Sequence, residues 1–461
     1  MRIDLHPDKV SDLTLEERAN LVRLLEIYQG HITKNAEKEK YYEGRIRLSE
    51  VNLGIALPEG MGKLKIGCAW GAKTVDALAA RSMWDGFVGV DGAPVDELTA
   101  IVDANNLIAK YSEATRDELK LGCTFATVLK DDKSGSKIRF YSPSAAAGLW
   151  DGDKDRLTAG FAVVSTMKDR EGINRAWRLY YFTESAVIVL TRMDRDQWIA
   201  QRFSHRMGQP LMVPMIWNAT SNKPLGRSRL KEPIRELING YVRTMANASI
   251  ALEFSTAPQK YLMGVSDQMY DKLINSKFEQ YVGSIIAGTT NPDTGEKPTF
   301  GQLPQGTLSP HTEMLRDLAT QFSAATGLPA HETGVITDAN PSSSDAIIAQ
   351  TQTIVKMAEE LNAGNGQALR TIALMALAIS RDVSLDELTE QDRAIVPHFK
   401  NPAMPSIAAT ADAAVKIASA RPEFAQTDVF LEMNGFSQAE VRRIKAQEQR
   451  ARGLALAEQI V

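Results

Sequence analysis

The stretch ATGLPAHETGVITDANPSSSDAI, Ala325 to Ile347, decides how this chain is read. Just before and into it, Met314, Leu315, Leu318, Phe322 and Ala325 recur at three-and-four spacing and predict a helix with one apolar stripe. Gly327 and Pro329 end that helix: the glycine can take a left-handed cap, and the proline cannot continue the ladder. Asn340 can cap a second helix with Pro341 at its first position, where a missing N–H costs nothing. Ser342 with Asp345 offers an overlapping capping box. Between the helices lie about a dozen residues of little periodicity, a length uncommon in compact domains unless the loop has a task.

Outward from the loop, Ile234, Leu237, Ile238, Tyr241, Met245 and Ile250 keep one face of a helix beginning near Arg229, with Pro233 tolerable only at its start. Gly, Pro and Asn clusters between Thr256 and Pro310 predict a compact subdomain inserted between two helices. Before these, from about 121 to 217, GCTFATVLK, SKIRFYSP, TAGFAVVSTMK, RAWRLYYFTESAVIVLTRM and WIAQRFSHR predict strands, parted by the turn clusters DDKSGS, DGDKD and DREG. They read as one antiparallel meander. The chain up to about Ala100 reads as helical, with Leu21, Leu24, Leu25 and Tyr28 in one stripe. Val75, Leu78, Ala79 and Met83, in GAKTVDALAARSMW, form another. Beyond the loop a long helix carries Ile347, Ile348, Thr351, Ile354, Val355, Ala358 and Leu361, and past about Arg381 the chain reads as polar and helical.

A chain of 461 residues allows roughly two to four domains. Its 44% hydrophobic and 24% charged residues read as a soluble, folded protein. The net charge of −4 argues against a tight grip on nucleic-acid phosphates and leaves room for transient contact. Cys68 and Cys123 make no disulfide scaffold and have no metal-ligand spacing, which suits a reducing compartment. The start, MRIDLHPDKVSDLTLEERANL, does not read as a signal peptide, and TIALMALAIS is too short to cross a bilayer. Synthesis in the cytoplasm and no membrane partner are expected.

Several stretches approach catalytic motifs and lack a residue the chemistry needs. GCAWGAKT has Ala72 before Lys73 and Thr74, where a phosphate loop needs glycine to wrap the phosphates closely. DGDKDRLTAGFA has Asp151, Asp153 and Asp155 at calcium-loop spacing, but Arg156 and Ala162 replace the glycine and the bidentate glutamate. HETGV begins like a zinc-protease helix, but Val335 stands where His331 would need its partner. No catalytic residue, cofactor or metal ligand is expected, and no ATP turnover.

Four stretches carry a resemblance. YYEGRIRL holds Tyr41, Tyr42 and Gly44 after an N-terminal helix. HRMGQPLMVPMIWNATSNKPLGRS holds Gly208, Pro210, Val213, Pro214, Asn218, Gly226, Arg227 and Ser228 at a strand-to-helix junction, with Met207 where such sequences often have leucine. TGLP, a later glycine and NPSSSDAI follow, and MNGFSQAEVRRIKAQEQR lies in the tail. In this order they resemble the portal proteins of tailed bacteriophages, the head-to-tail connectors, of siphophage and actinophage type.

The resemblance implies an α+β fold with portal-like parts. These are an α/β wing (1–228) containing the strand meander, stem helices at 229–255 and 311–326, an α/β clip (256–310), a tunnel loop (327–340), a long spine helix (341–380) and a helical crown (381–461). It also implies a ring of about twelve subunits. The ring would be a channel at one capsid vertex through which double-stranded DNA is packaged and ejected. The terminase large subunit and then a head-completion adaptor would dock on it, and the major capsid protein and scaffold would meet it during assembly. It would assemble in the host cytoplasm and reside in the virion.

The resemblance makes Leu328, Pro329, His331, Glu332, Thr333, Val335, Thr337 and Asn340 candidates for sequence-independent DNA contact. The loop has no Lys or Arg, which fits sliding contact rather than phosphate capture. Arg229, Lys231 and Arg235 are candidate channel-lining residues, against a plainer reading as a solvated helix face paired to Glu232 and Glu236. A plain helix connector is the competing reading of the loop. An enzyme of phosphoryl-transfer or hydrolytic type with a dispersed site, and a monomeric helical adaptor, are the alternatives for the whole chain.

Overall fold

The computed structural model describes residues 1–46, 66–90, 92, 94–133, 135–169, 171–193, 197–256, 260–264, 299–302, 307–334, 344–403, 407–436, 440, 441 and 443–451, with 271, 290, 292, 295 and 297 between. Most of the expected clip, the loop candidates Val335, Thr337 and Asn340, and the cap at Asn340 and Pro341 lie outside the described residues.

Helix α1 (Leu15–Tyr42) begins in a capping box, with Thr14 Oγ1 accepting from the Glu17 N–H and the Glu17 carboxylate from the Thr14 N–H. Its stripe Leu21, Leu24, Leu25 and Tyr28 is buried as expected. Helices α2 (Trp70–Ala79), α3 (Asp96–Asn105) and α4 (Leu107–Leu121) follow, with strand β1 (Trp84–Val88) between α2 and α3. Next come β2 (Cys123–Asp131), β3 (Gly135–Tyr141), β4 (Ala146–Asp151), β5 (Arg156–Lys168), β6 (Asn174–Phe182), β7 (Ala186–Arg192), β8 (Trp198–Ser204) and β9 (Met212–Ile216). Helix α5 (Glu232–Thr256), hairpin strands β10 (Lys260–Met263) and β11 (Thr299–Gln302), α6 (Ser309–Thr326) and α7 (Ser344–Arg381) lead to β12 (Val396–Phe399), α8 (Ile407–Ala420) and α9 (Asp428–Met433).

Three expectations need correction. The strands between 121 and 217 do not form one meander. Strands β4 to β8 do so in sequence order, but β9 returns to pair with β2, Cys123 opposite Ile216, in a separate sheet ordered β3-β2-β9. Strand β2 is buried on both faces, so its sequence has no alternation to reveal where it belongs. The helix expected through GAKTVDALAARSMW stops at Ala79, because Trp84 belongs to β1, which pairs antiparallel with β12. The residues past Arg381 are therefore not all helical: β12, Leu388 and Ile395 join the core that contains α7.

Three apolar cores result. One lies between α7, α3, α4 and the β3-β2-β9 sheet, and a second between α1 and the inner face of the five-stranded sheet. The third gathers α2, α5, α6 and the first half of α7 around Trp70, Phe322, Leu328 and Ile354. A buried polar seam crosses from α4 to α7: Asn365 Nδ2 donates to Glu118 Oε2 at 2.9 Å and to Tyr111 Oη at 3.2 Å. Ser82 extends it, 2.7 Å from Tyr111 Oη and 2.6 Å from Asn362 Oδ1. Burial pushes the Glu118 carboxyl up to about 8, which favours its protonated form.

Candidate functional site

Helix α6 ends as its sequence predicts. Gly327 takes φ +71° and its N–H donates to Ser323 O at 2.9 Å, a left-handed cap. A Cβ there would stand 2.9 Å from the side-chain ends of Met357 and Thr353 of α7, which would have to shift to admit it. The chain then folds back onto the protein. Leu328 and Pro329 are buried, Ser323 Oγ donates to Leu328 O at 2.6 Å, and Ala330–Thr333 form one 3-10 turn closed by Gly334 at φ +77°.

Helix α2 holds that turn in two places. The buried Trp70 Nε1–H donates to Thr333 O at 3.0 Å, and Lys73 Nζ lies 2.8 Å from Glu332 Oε2. The half-exposed ion pair is worth under about 1 kcal/mol. The indole bond matters more, because breaking it leaves a buried donor unsatisfied, at roughly 1–3 kcal/mol. The indole itself is fixed by stacking on Phe322 of α6 at 4.5 Å between ring centroids and by Tyr241 of α5 at 4.7 Å. Helix α2 is seated in turn on the end of α1: a Cβ on Gly71 would stand 2.0 Å from Tyr41 O, and one on Gly44 2.7 Å from Cys68 O.

The junction GRSR fastens α5 to the same place. Gly226 at φ +77° lies against Trp217 O and Gly122 O, where a Cβ would stand 2.4 and 2.5 Å away. Ser228 Oγ donates to Lys120 O, and the Arg229 N–H to Leu119 O at 2.8 Å. The Arg229 side chain points inward. Its Nε donates to Thr74 O of α2 at 2.7 Å and its Nη2 to Thr326 O at the end of α6 at 2.9 Å. Arg229 thus ties three helices together, its charge facing the negative end of the α6 dipole.

The candidates sort accordingly. Leu328, Pro329 and Thr333 are buried, Glu332 is paired to Lys73, and His331 is exposed. The channel-lining reading of Arg229 is corrected: at 6% exposure it is an interior bracket, because the Thr74 and Thr326 carbonyls draw it inward. Arg235 is also engaged within the chain, 3.2 Å from Glu37 and over the Tyr41 ring, rather than with the neighbouring glutamates. Lys231 is exposed. Sequence reasoning did not single out Trp70 and met Lys73 only in the incomplete phosphate loop; their i, i+3 spacing puts them on one helix face but does not say what they meet.

Among the described residues no group of His, Cys, Asp and Glu could hold a metal ion. Burial pushes the Cys68 thiol to about 11 and the Cys123 thiol to about 12, far from reactive thiolates. The arrangement is a rigid mount that fixes where a loop leaves a helical junction.

No curated protein matches the chain. Among solved structures, a chain from the neck of the native gene transfer agent particle, computed with C12 symmetry, is similar at 11% identity and TM-score 0.46, over 81% of this chain and 89% of that one. A chain from the neck of the empty particle, computed with C6 symmetry, is similar at 12% and 0.46, over 81% and 89%. One from the native virion is similar at 10% and 0.44, over 80% and 90%. The family model of phage portal proteins, SPP1 Gp6-like, matches residues 21–453, from within α1 to beyond α9, and the chain belongs to that family.

Proposed function

We propose that the chain is one subunit of a closed ring of about twelve copies, set at one capsid vertex. Its central channel passes double-stranded DNA inward during packaging and outward at ejection. In this reading residues 1–228 are wing, 229–255 and 311–326 stem, 256–310 clip, 327–340 tunnel loop, 341–380 spine and 381–461 crown, the crown's first part being bound to the wing by β12. The clip docks the terminase large subunit and later the head-completion adaptor, while capsid protein and scaffold meet the ring during assembly in the host cytoplasm. The ring does no chemistry: DNA contact is transient and sequence-independent, and a separate motor supplies the energy.

The observation that carries the loop's role is its anchored base. The Trp70–Thr333 bond and the Lys73–Glu332 pair hold the loop through Thr333, as a guide needs if it is to stay in register with a moving duplex. Electron microscopy of the purified protein tests the assembly: a ring with a central hole is expected. A stable monomer by light scattering, at every concentration and with capsid protein and scaffold present, overturns it.

A further inference from the structure

We propose that the cleft between the start of α5, the end of α6 and the middle of α7 binds a small tetrahedral oxyanion such as inorganic phosphate. The cleft holds about 200 Å³ and is walled by Asn218, Arg229, Lys231, Thr326, Met357 and Glu360. At about 30 Å³ per water it has room for an ion with part of its hydration shell.

Arg229 is the deciding residue. It is 6% exposed, and a buried cation is normally neutralised by a partner. No carboxylate among the described residues forms an ion pair with it. Of the five N–H donors a guanidinium carries, one goes to Thr74 O, one to Thr326 O and one to the Met357 sulfur at 3.3 Å, a weak acceptor. Among the described residues that leaves two without a hydrogen-bond acceptor, the guanidinium carbon also standing 6.0 Å from the centroid of the Trp217 ring, which walls the same cleft. Lys231 shares the cleft, is exposed and likewise forms no ion pair among the described residues. Asn218, fixed at φ +51°, adds an amide to the wall. Glu360 and the negative end of the α6 dipole act against an anion, but the cations exceed the carboxylate by one. A bound oxyanion would join α5, α6 and α7 through Arg229, and so stiffen the junction below the loop.

The test uses the full-length protein in its purified assembly, titrated calorimetrically with inorganic phosphate and melted in phosphate against chloride at equal ionic strength. Saturable binding and a raised melting temperature are expected, since a ligand bound only to the folded state stabilises it. Lys231→Ala should weaken binding about tenfold, the loss of one charge-assisted contact. Glu360→Gln should tighten it. Both residues lie outside the buried cores, so these variants avoid the folding risk of changing Arg229. Phosphate binding no tighter than chloride overturns the proposal, and so does phosphate affinity that neither substitution moves.

Discussion

Gly71 and Gly67 distinguish packing from phosphate chemistry in GCAWGAKT. A side chain at Gly71 would collide with the Tyr41 carbonyl, where backbone on both sides prevents escape, whereas Gly67 faces open space at an ordinary φ. Gly71→Ala should therefore cost about 3 kcal/mol or more, and Gly67→Ala less than about 0.5 kcal/mol, read from denaturant midpoints. Equal effects would contradict this account of α2. Glu118 gives a second residue-scale expectation. Its carboxyl is raised from 4.5 to about 8 by burial, so the folded chain keeps a proton that the unfolded chain releases. Stability contributed by this site falls as pH rises between those values, and the cost is complete above the upper one. Glu118→Gln should raise the melting temperature more at about pH 8.5 than at about pH 5; the same shift at both would show that the carboxyl does not titrate in this window.

At the scale of elements, the loop and the C-terminal helices are each held by a small number of polar contacts. A deletion beginning at Glu332 would remove the partner of Lys73 and the carbonyl that Trp70 binds, mixing loss of the mount with loss of the loop. Deleting Ile336–Ala339 spares both anchors, and loop closure entropy varies slowly with length, so a modest cut should cost stability little. Complementation of a portal-deficient phage should then give intact particles with less packaged or retained DNA. Full DNA content per particle would leave the loop a connector. At the other end, His398 of β12 sits 2.6 Å from Asp85 of β1 and 3.5 Å from Glu432 of α9. The hydrogen bond to Asp85 lifts its affinity for a proton above the ordinary imidazole value. Its contribution is complete below 6.5, the unfolded value, and is lost as pH rises through the raised folded one. His398→Gln should speed amide exchange in α8 and α9 at about pH 6 and flatten its pH dependence. Unchanged exchange would exclude the histidine as their clamp.

At the scale of the molecule, apolar surface remains for neighbours to cover. Leu252 and Met314 on the stem helices and Val415, Val429, Met433 and Phe436 in the C-terminal segment are exposed in the single chain. Burial between copies would remove them from water, in line with the closed ring proposed above. Leu252→Glu combined with Met314→Glu should shift the particle toward smaller species in sedimentation, while the far-ultraviolet circular dichroism stays that of the folded chain. An unchanged particle size would place the subunit contacts elsewhere.

The sequence by itself determined what rests on local rules. The capped end of α6, the α1 stripe, the strand-rich character of the region from about 121 to 217 and the absence of complete catalytic motifs follow from spacing and from glycine and proline positions, because each depends on residues within a few turns of one another. Tertiary structure alone decided the partners of those elements. The pairing of β1 with β12 and of β2 with β9 joins distant segments, and a strand covered on both faces carries no alternation to announce itself. Arg229 belonged by composition to a charged helix face. It became an interior bracket because two carbonyls, on α2 and at the end of α6, meet at its guanidinium. Trp70 and Lys73 took on their role for the same reason: a helix face is set by local spacing, but what it touches is set by how the whole chain packs.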